Sequence, residues 1–191
     1  FGTPFLRRIA NRAVGFHPER SMPLLPGTTL RAWFNKRVPT QQSGDKKVIF
    51  FCDEFTNYYD VEIGQRAILL LEALGYSVSI PAHLESGRSF LSKGLVKKAA
   101  LIANENISLL SGLVSEAIPV VGLEPSAILT LRDEYIDLAR PENKTSALHL
   151  AKHTYTIEEF IAAAAEKGHI SKTAFTSEKR AIAVHGHCYQ K

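Results

Sequence analysis

Val48-Ile49-Phe50-Phe51-Cys52 is a continuous apolar run of strand length, and the prediction of the fold starts from it. A run without a polar face is typical of a strand that is covered on both sides, as in a parallel sheet between two helix layers. After it, Asp60 can cap a helix whose apolar positions recur at helical spacing until Gly75. Alternating apolar residues at positions 76–80 then predict a second strand.

The rest of the chain continues this alternation of strands and helices. Further helices are predicted over Phe90–Asn104, Ile107–Glu116, the residues from Pro125 onward, and Ile157–Lys167, where Thr156 and Glu159 form a capping box. Further strands are predicted at Pro119–Leu123 and Ala181–Val184, while residues 143–153 are ambiguous. The pattern predicts an α/β fold with a parallel, doubly wound (Rossmann-like) sheet of about four strands and helices on both faces.

Residues 1–44 are predicted to form an irregular, basic, proline-rich arm, and residues 45–191 the α/β domain. Five prolines interrupt the arm, so only short helices are expected, around Phe5–Ala13 and Thr29–Arg37. Trp33 and Phe34 are expected to pin the second of these helices to the domain. The domain is expected to be incomplete at its C-terminus, because no element follows the last predicted strand.

Composition places the chain among soluble globular proteins, with 45% hydrophobic and 22% charged residues in a length of 191. It begins at Phe1 without a signal peptide or a membrane-spanning stretch, so we expect a piece of a cytoplasmic protein. With two cysteines in the whole chain, Cys52 and Cys188, a disulfide-stapled secreted fold is not expected.

The net charge of +4 is concentrated near the N-terminus, where residues 1–47 carry nine Lys or Arg against two acids. This excess favours an acidic neighbour, such as another domain, an anionic membrane surface or nucleic acid. Nucleic acid is not expected as a partner, since no motif for it is present. The simplest interpretation is a solvated arm that packs along its own domain.

Polar loops follow the predicted strands and are expected to meet at one edge of the sheet. In open parallel sheets, ligands bind beyond the carboxyl ends of the strands. The loops are Cys52–Asn57, His83–Arg88, Glu124–Ala127 and His185–Cys188. His185, His187 and Cys188 form the densest group of metal-ligand types, although the same residues also fit the end of a strand with an ordinary thiol.

Short sequence motifs in these loops resemble those of a known family. They are Asp53–Tyr58, Ser86–Arg88 with Ser92–Leu95, Gly122–Ser126 with Leu131–Tyr135, and His185–Lys191. Through them the chain from Val48 to Lys191 resembles the cysteine-rich (CCG) domain of heterodisulfide reductases and of the iron–sulfur subunits of glycolate oxidase and anaerobic glycerol-3-phosphate dehydrogenase. It is most similar to the version fused behind flavin-binding and ferredoxin-like domains in FAD-linked oxidases, where a linker like Arg31–Phe34 precedes it.

The chain departs from this family at its cluster ligands. The family has a Cys-Cys pair where this chain has Glu85 and Ser86, and a further cysteine where it has Ala127. The resemblance implies FAD and a 4Fe–4S cluster in the parent protein. Within this chain no cofactor is expected, because alanine cannot ligate iron and serine does so poorly. The family's second Cys-Cys-Gly motif would lie beyond Lys191.

Three functional hypotheses follow. In the first, the resemblance implies a domain of an FAD-linked 2-hydroxy-acid dehydrogenase, for D-lactate or glycolate, that serves electron transfer or domain assembly without being catalytic alone. Its partners would be the flavin-binding and ferredoxin-like domains of the parent chain, with quinone or the surface of the inner membrane as a further contact. Cations suited to a carboxylate substrate or an anionic partner are Arg88, Lys93 and Arg132.

The second hypothesis is a scaffold or binding module that has lost cluster chemistry. The third is a site for zinc or mononuclear iron, for which the candidate ligands are His185, His187, Cys188, Glu85 and, less directly, Cys52. Each candidate cation also has an ordinary interpretation, since Arg132 can pair with a nearby acid and Lys93 can be a surface lysine at a helix start.

Overall fold

The computed structural model describes residues 3–20, 26–37, 46–183 and Gly186, and in this part of the chain four parallel strands form one sheet. The strands are β1 (Lys46–Phe50), β2 (Tyr76–Ser79), β3 (Val120–Gly122) and β4 (Thr154–Thr156). Their order in the sheet is β2-β1-β3-β4. Val48 lies opposite Val78 on one side of β1, and Ile49 lies opposite Val120 on the other. The predicted parallel α/β architecture is confirmed.

Helices connect the strands and cover the sheet. They are α1 (Pro4–Ala13), α2 (Leu30–Lys36), α3 (Glu54–Tyr58), α4 (Val61–Ala73), α5 (Arg88–Leu91), α6 (Val96–Leu110), α7 (Pro125–Arg132), α8 (Glu134–Leu138), α9 (Lys144–Lys152) and α10 (Ile157–Glu166). Short 3₁₀ turns occupy Pro141–Asn143 and Lys172–Ala174. No helix in the described ranges is both long and apolar enough to cross a membrane.

The side chains of β1 alternate between two hydrophobic cores, one on each face of the sheet. Val48 and Phe50 pack with α2, α4 and α10, whereas Ile49 and Phe51 pack with α6, α7, α8 and α9. All four side chains are buried, which explains why the sequence of this strand has no polar face. The close approach of α7 to β3 requires Gly122, since a Cβ there would lie 2.7 Å from Cβ of Ile128.

Helix α2 belongs to the packed body of the molecule. Leu30 is fully buried in the first core, and Trp33 and Phe34 pack against that core as predicted. Arg37 follows the helix and forms two hydrogen bonds of 2.7 and 2.6 Å with the buried carboxylate of Glu72 on α4. Its guanidinium also lies over the rings of Trp33 and Phe34. The ion pair and the ring contacts together hold α2 against α4.

Helix α1 is amphipathic, and its apolar side is exposed. Phe5, Leu6 and Ile9 are 72%, 56% and 53% exposed, and Arg7 and Asn11 lie opposite them on the helix wheel. The interpretation that this arm simply packs along its own domain does not hold for these three apolar side chains. The acidic neighbour expected for the arm stays a prediction.

Several predicted boundaries differ from the structure. The segments 90–104 and 107–116 were predicted as two helices, but the structure has the short α5, a turn with Gly94 at positive φ, and one continuous α6. The ambiguous residues 143–153 form α9, and β4 follows them. The strand predicted at Ala181–Val184 is wrong for Ala181–Ala183, which are exposed and outside any strand; Val184 lies outside the described residues.

Replacing Arg37 by alanine should lower the free energy of unfolding by about 3–5 kcal/mol, because the carboxylate of Glu72 would stay buried without a partner. The matched control is Arg66→Ala, which breaks the exposed pair with Glu62 and should cost at most about 0.5 kcal/mol. Joint replacement Arg37→Met with Glu72→Leu should restore most of the loss. Urea denaturation monitored by circular dichroism measures all three, and equal losses for Arg37→Ala and Arg66→Ala would contradict the assignment.

Candidate functional site

The switch point of the sheet lies between β1 and β3. From β1 the chain first passes to β2 on one side and then crosses to β3 on the other side. Both helices that begin there are capped by acidic side chains. Asp53 accepts bonds of 2.9 Å from the amides of Phe55 and Thr56 and one of 2.6 Å from the Thr56 hydroxyl. Glu124 accepts bonds from the amide and hydroxyl of Ser126. The chain's own carboxylates therefore occupy the positions where an anionic ligand would meet the amides.

Asp53 is 1% exposed, and its burial raises the pKa to about 6 although its hydrogen bonds act in the opposite direction. Both oxygens of this side chain are engaged in capping α3. Asp53 therefore holds the first turn of α3 in place, and with it Glu54 and Asn57.

A cavity of about 430 Å³ opens beside these residues, between α2, α3 and the loop after β2. Its polar lining consists of Arg31, Cys52, Glu54, Asn57, Tyr58, His83 and Glu85. Arg31 reaches it from α2 and donates to the carbonyl oxygens of Pro81 (3.0 Å) and Ile80 (3.5 Å). The arm and the sheet thus contribute to one site.

His83 is held in one tautomer. Its Nε2 lies 3.2 Å from the amide nitrogen of Cys52 and 2.8 Å from Nη2 of Arg31, and both of these groups can only donate. Its Nδ1 lies 2.7 Å from the carbonyl oxygen of Leu84, which can only accept. The ring is therefore neutral with the proton on Nδ1. It stacks on Phe51 with centroids 4.4 Å apart, and burial lowers its pKa to about 4, aided by Arg31.

Cys52 is buried and remains a thiol. Burial raises its pKa to about 12, although Arg31 acts to lower it. The thiol donates to Oδ1 of Asn57 at 3.5 Å, and the same oxygen accepts the amide of Arg31 at 3.0 Å. A protonated thiol that is used in this way is a poor metal ligand, since metals bind the thiolate.

Of the two positions where the resemblance predicts a Cys-Cys pair, Ser86 is tied to a protein group and Glu85 is exposed. The hydroxyl and the amide of Ser86 each donate to the carboxylate of Glu54 at 2.8 Å, and Ser86 has no exposed surface. Partial burial and the neighbouring Glu54 raise the pKa of Glu85, while Lys98 opposes this. Ala127, at the third position, is also fully buried, in the first turn of α7.

A second hydrogen-bond network, from side chains on α6 and α8, fixes the backbone of residues 84–86. Asn106 accepts the amide of Leu84 at 2.7 Å and donates to the carbonyl of Glu85 at 2.9 Å. Asn106 also donates to the hydroxyl of Tyr135, which in turn donates to the carbonyl of Ser86 at 3.0 Å. We name the contacts of Glu54, Asn106 and Tyr135 with residues 84–86 the loop lock. Each of these contacts is a hydrogen bond.

The structure pairs two of the three candidate cations with acids and leaves the third exposed. Arg88 follows Gly87, whose φ of +77° favours glycine, and pairs with Glu134 at 2.7 Å. Arg132 forms two hydrogen bonds with Glu159 of the capping box. Lys93 is exposed in the turn after α5. Two of the three are thus paired with different acids, and an anion-binding role for any of them stays a prediction.

His185, His187 and Cys188, the other metal candidates, lie outside the described residues. Within residues 3–20, 26–37 and 46–183, no three His, Cys, Asp or Glu side chains are grouped so that they could hold a metal ion. The described residues therefore contain no metal site besides the one predicted at His185, His187 and Cys188, which they do not include.

Sequence reasoning missed Arg31, Asn106 and Tyr135 as members of the site. Arg31 lies 52 positions before His83 in the chain, and no spacing rule connects them. One feature of the sequence could have pointed to Asn106 and Tyr135. Each places a polar group on an otherwise apolar helix face, and buried polar groups are almost always hydrogen-bonded.

Comparison with known proteins gives distant relatives among oxidoreductases. One component of the anaerobic glycerol-3-phosphate dehydrogenase of Escherichia coli (strain K12) is 26% identical over 147 residues, which cover 76% of this chain and 37% of that component. D-2-hydroxyglutarate dehydrogenase of Pantoea ananatis (strain AJ13355) is 30% identical over 90 residues, or 47% of this chain and 9% of that enzyme. The Escherichia coli enzyme of the same name is 29% identical over 90 residues.

The chain thus spans little more than a third of the first relative and under a tenth of the second. Neither a family model nor a solved structure matches it.

The tautomer and charge of His83 can be measured by NMR. Its ring nitrogens should show a neutral imidazole with the proton on Nδ1 down to about pH 4, instead of the ordinary pKa of 6.5. Since the folded pKa lies below the unfolded value, this group's contribution to stability is complete above pH 6.5 and is lost as the pH falls toward 4. The variant His83→Gln should remove that part of the pH dependence. A ring that charges near pH 6.5 would contradict the assignment.

Proposed function

We propose, on the premise that the chain is homologous to part of the cysteine-rich domain of FAD-linked oxidases, that it is an assembly domain of a larger FAD-linked dehydrogenase. Its relatives are dehydrogenases, so the domain belongs with oxidoreductases. In the parent protein the flavin, held by another domain, would accept the hydride of the substrate.

The substrate class that we propose is a 2-hydroxy acid, such as D-lactate, glycolate or a 2-hydroxy dicarboxylate. The names of several relatives support it, because D-2-hydroxyglutarate is itself such an acid. In such a protein this domain would hold neighbouring domains in place and would leave the oxidation of the substrate to the flavin site.

The observation that carries the assembly role is the loop lock. A cluster at the positions of Glu85, Ser86 and Ala127 would need ligand atoms directed into a common space. Instead, the Ser86 hydroxyl is bound to Glu54, and Ala127 has no ligand atom. These residues do not fit an iron–sulfur cluster. Hydrogen bonds from Glu54, Asn106 and Tyr135 keep the loop ordered without one.

The described residues do not fit FAD at the switch point either. A dinucleotide needs free amides and small residues beside its phosphates. The corresponding turn after β1 carries Asp53 and Glu54, and the helix after β3 is capped by Glu124. Phosphates would meet three carboxylates there, so the flavin would belong to another part of the parent protein.

A surface suited to assembly surrounds the loop lock. Phe55, Tyr58 and Leu84 are 36%, 51% and 44% exposed, and the last two line the cavity at the carboxyl edge. Apolar and aromatic side chains around polar groups are typical of surfaces between domains. The occupant that we propose is another domain of the same parent chain, because the relatives are much longer than the segment that matches.

The chain purified without oxygen should be colourless and poor in iron, because Ala127 has no ligand atom and the Ser86 hydroxyl is bound to Glu54. Visible absorbance and metal analysis measure this. Broad visible absorbance with stoichiometric iron would overturn the assembly role. Stoichiometric zinc that is lost in the Cys188→Ser variant would instead support the predicted site at His185, His187 and Cys188.

Placing charges on the assembly surface should loosen the domain in the parent protein. The pair Tyr58→Glu with Leu84→Glu should increase release of the domain by limited proteolysis several-fold, while oxidation of the hydroxy acid with a dye as acceptor stays unchanged. The matched control is Leu113→Glu with Leu148→Glu, which charges two equally exposed leucines elsewhere. Equal release from both pairs would place the interface away from this edge.

A further inference from the structure

A second cavity lies at the opposite edge of the sheet, beside the amino ends of the strands. It measures about 540 Å³ and is lined by residues at the start of each strand and by one side of α10. This edge is remote from the loop lock and has no part in the assembly role. Its volume is within the range of about 300–1,000 Å³ that is common for small-molecule sites.

The floor of this amino-edge cleft is apolar and aromatic. Tyr76 and Phe160 are buried and meet edge to face, with ring centroids 5.0 Å apart. Ala164 and Pro119 complete the floor, and Tyr155 is half-buried in its wall. A ligand that enters the cleft would meet the small exposed parts of these two rings together with the alanine and proline side chains, which favour an apolar or planar body.

The rim of the cleft is cationic. Lys46, Lys47, Lys152 and Lys167 line it together with His153 and His169, and Glu116 is the single acid among the described lining residues. Two of these lysines are engaged, since Lys46 donates to the carbonyl of His169 at 2.7 Å and Lys167 lies 3.7 Å from Glu116. The side-chain ammonium groups of Lys47 and Lys152 make no hydrogen bond or ion pair with any residue that the structure describes. The rim thus keeps a positive excess directed toward solvent.

The electrostatics of a buried side chain agree with this excess. Burial, His149 and Lys152 together lower the pKa of His153, against the opposing effect of Glu116. His153 is packed edge to face against His149, whose Nε2 lies 3.0 Å from the carbonyl of Val114. The effects of His149 and Lys152 on the pKa of His153 have the sign expected of neighbouring positive charge.

We propose that the amino-edge cleft binds a small organic anion whose apolar or aromatic body lies on Tyr76 and Phe160 and whose acidic group meets Lys47 and Lys152. The apolar floor of the cleft matches the body of such a ligand, and the lysines on its rim match the acidic group. Inorganic anions would leave the aromatic floor unused, and neutral aromatic compounds would leave the lysines unused. Ammonium groups pair with carboxylate, sulfonate or phosphate as point charges, so the acidic group can be any of these.

Naphthalenesulfonate is a suitable probe, because it combines a planar apolar body with one fixed negative charge. Titrated into the isotope-labelled full chain, it should give saturable NMR shifts of the amides of Lys47, Ala117 and Ala163. Binding should weaken as salt is added, since the lysines on the rim are exposed. Naphthalene without the acid and inorganic sulfate without the ring should each bind more weakly.

Two sets of variants separate charge from shape. Lys47→Glu with Lys152→Glu should weaken binding about tenfold or more, as expected when two attractive contacts become repulsive. Ala163→Trp should weaken it similarly by filling the cleft without a change in charge. The matched control, Lys97→Glu with Lys179→Glu, alters the net charge equally at exposed lysines outside the cleft and should bind as the unaltered chain does.

Circular dichroism and the melting temperature establish that each variant is folded. Shifts without saturation, shifts confined to the exposed apolar side of α1, or an equal loss in the control pair would overturn the proposal. Unchanged affinity in Ala163→Trp would also overturn it, because the ligand would then lie outside the cleft.

Discussion

The structure depends on the burial of β1 on both faces. Five consecutive apolar residues cannot leave the sheet exposed on either side, so helix layers must cover both. Val48 and Phe50 anchor one layer and Ile49 and Phe51 the other. The same strand then delivers Cys52, Asp53 and Glu54 to the carboxyl edge. The position of the candidate site is therefore a direct result of the way in which this strand is packed.

At that edge, groups of the chain satisfy one another. Glu54 binds Ser86, Asp53 binds the first turn of α3, and His83 accepts from Arg31 and Cys52. Each of these is a contact that a cluster, a phosphate or a metal would otherwise compete for. An edge whose polar groups are already paired is suited to holding a fixed shape, which is what a neighbouring domain needs from an interface.

Much of the fold could be predicted from the sequence, because it follows from local patterns. The apolar run at β1, the capping box at Thr156 and Glu159 and the stop at Gly75 each depend on nearby residues, and the structure has them all. The strand predicted at Ala181–Ala183 was wrong, because a short apolar run does not specify a partner strand, and Thr154–Thr156 fills that place with a polar sequence.

The site was only partly predictable. Its loops could be named from the strand ends, but the contacts of Arg31 with His83 and of Tyr135 with Ser86 join residues 52 and 49 positions apart. The resemblance to a family identified Glu85, Ser86 and Ala127 as altered positions. It could not indicate that Ser86 is bound to Glu54, because that contact depends on side-chain geometry across the loop.

The anchoring of α2 has a consequence for where the chain can be divided. Leu30 fills the first core, Arg31 completes the surroundings of His83, and Arg37 neutralises the buried Glu72. A protease cut between residues 37 and 46, followed by loss of the N-terminal piece, would open an apolar groove and leave a carboxylate uncompensated. The remaining sheet would be destabilised although all four of its strands were intact. Helix α2 is therefore part of the folded unit, although it precedes the first strand in the chain.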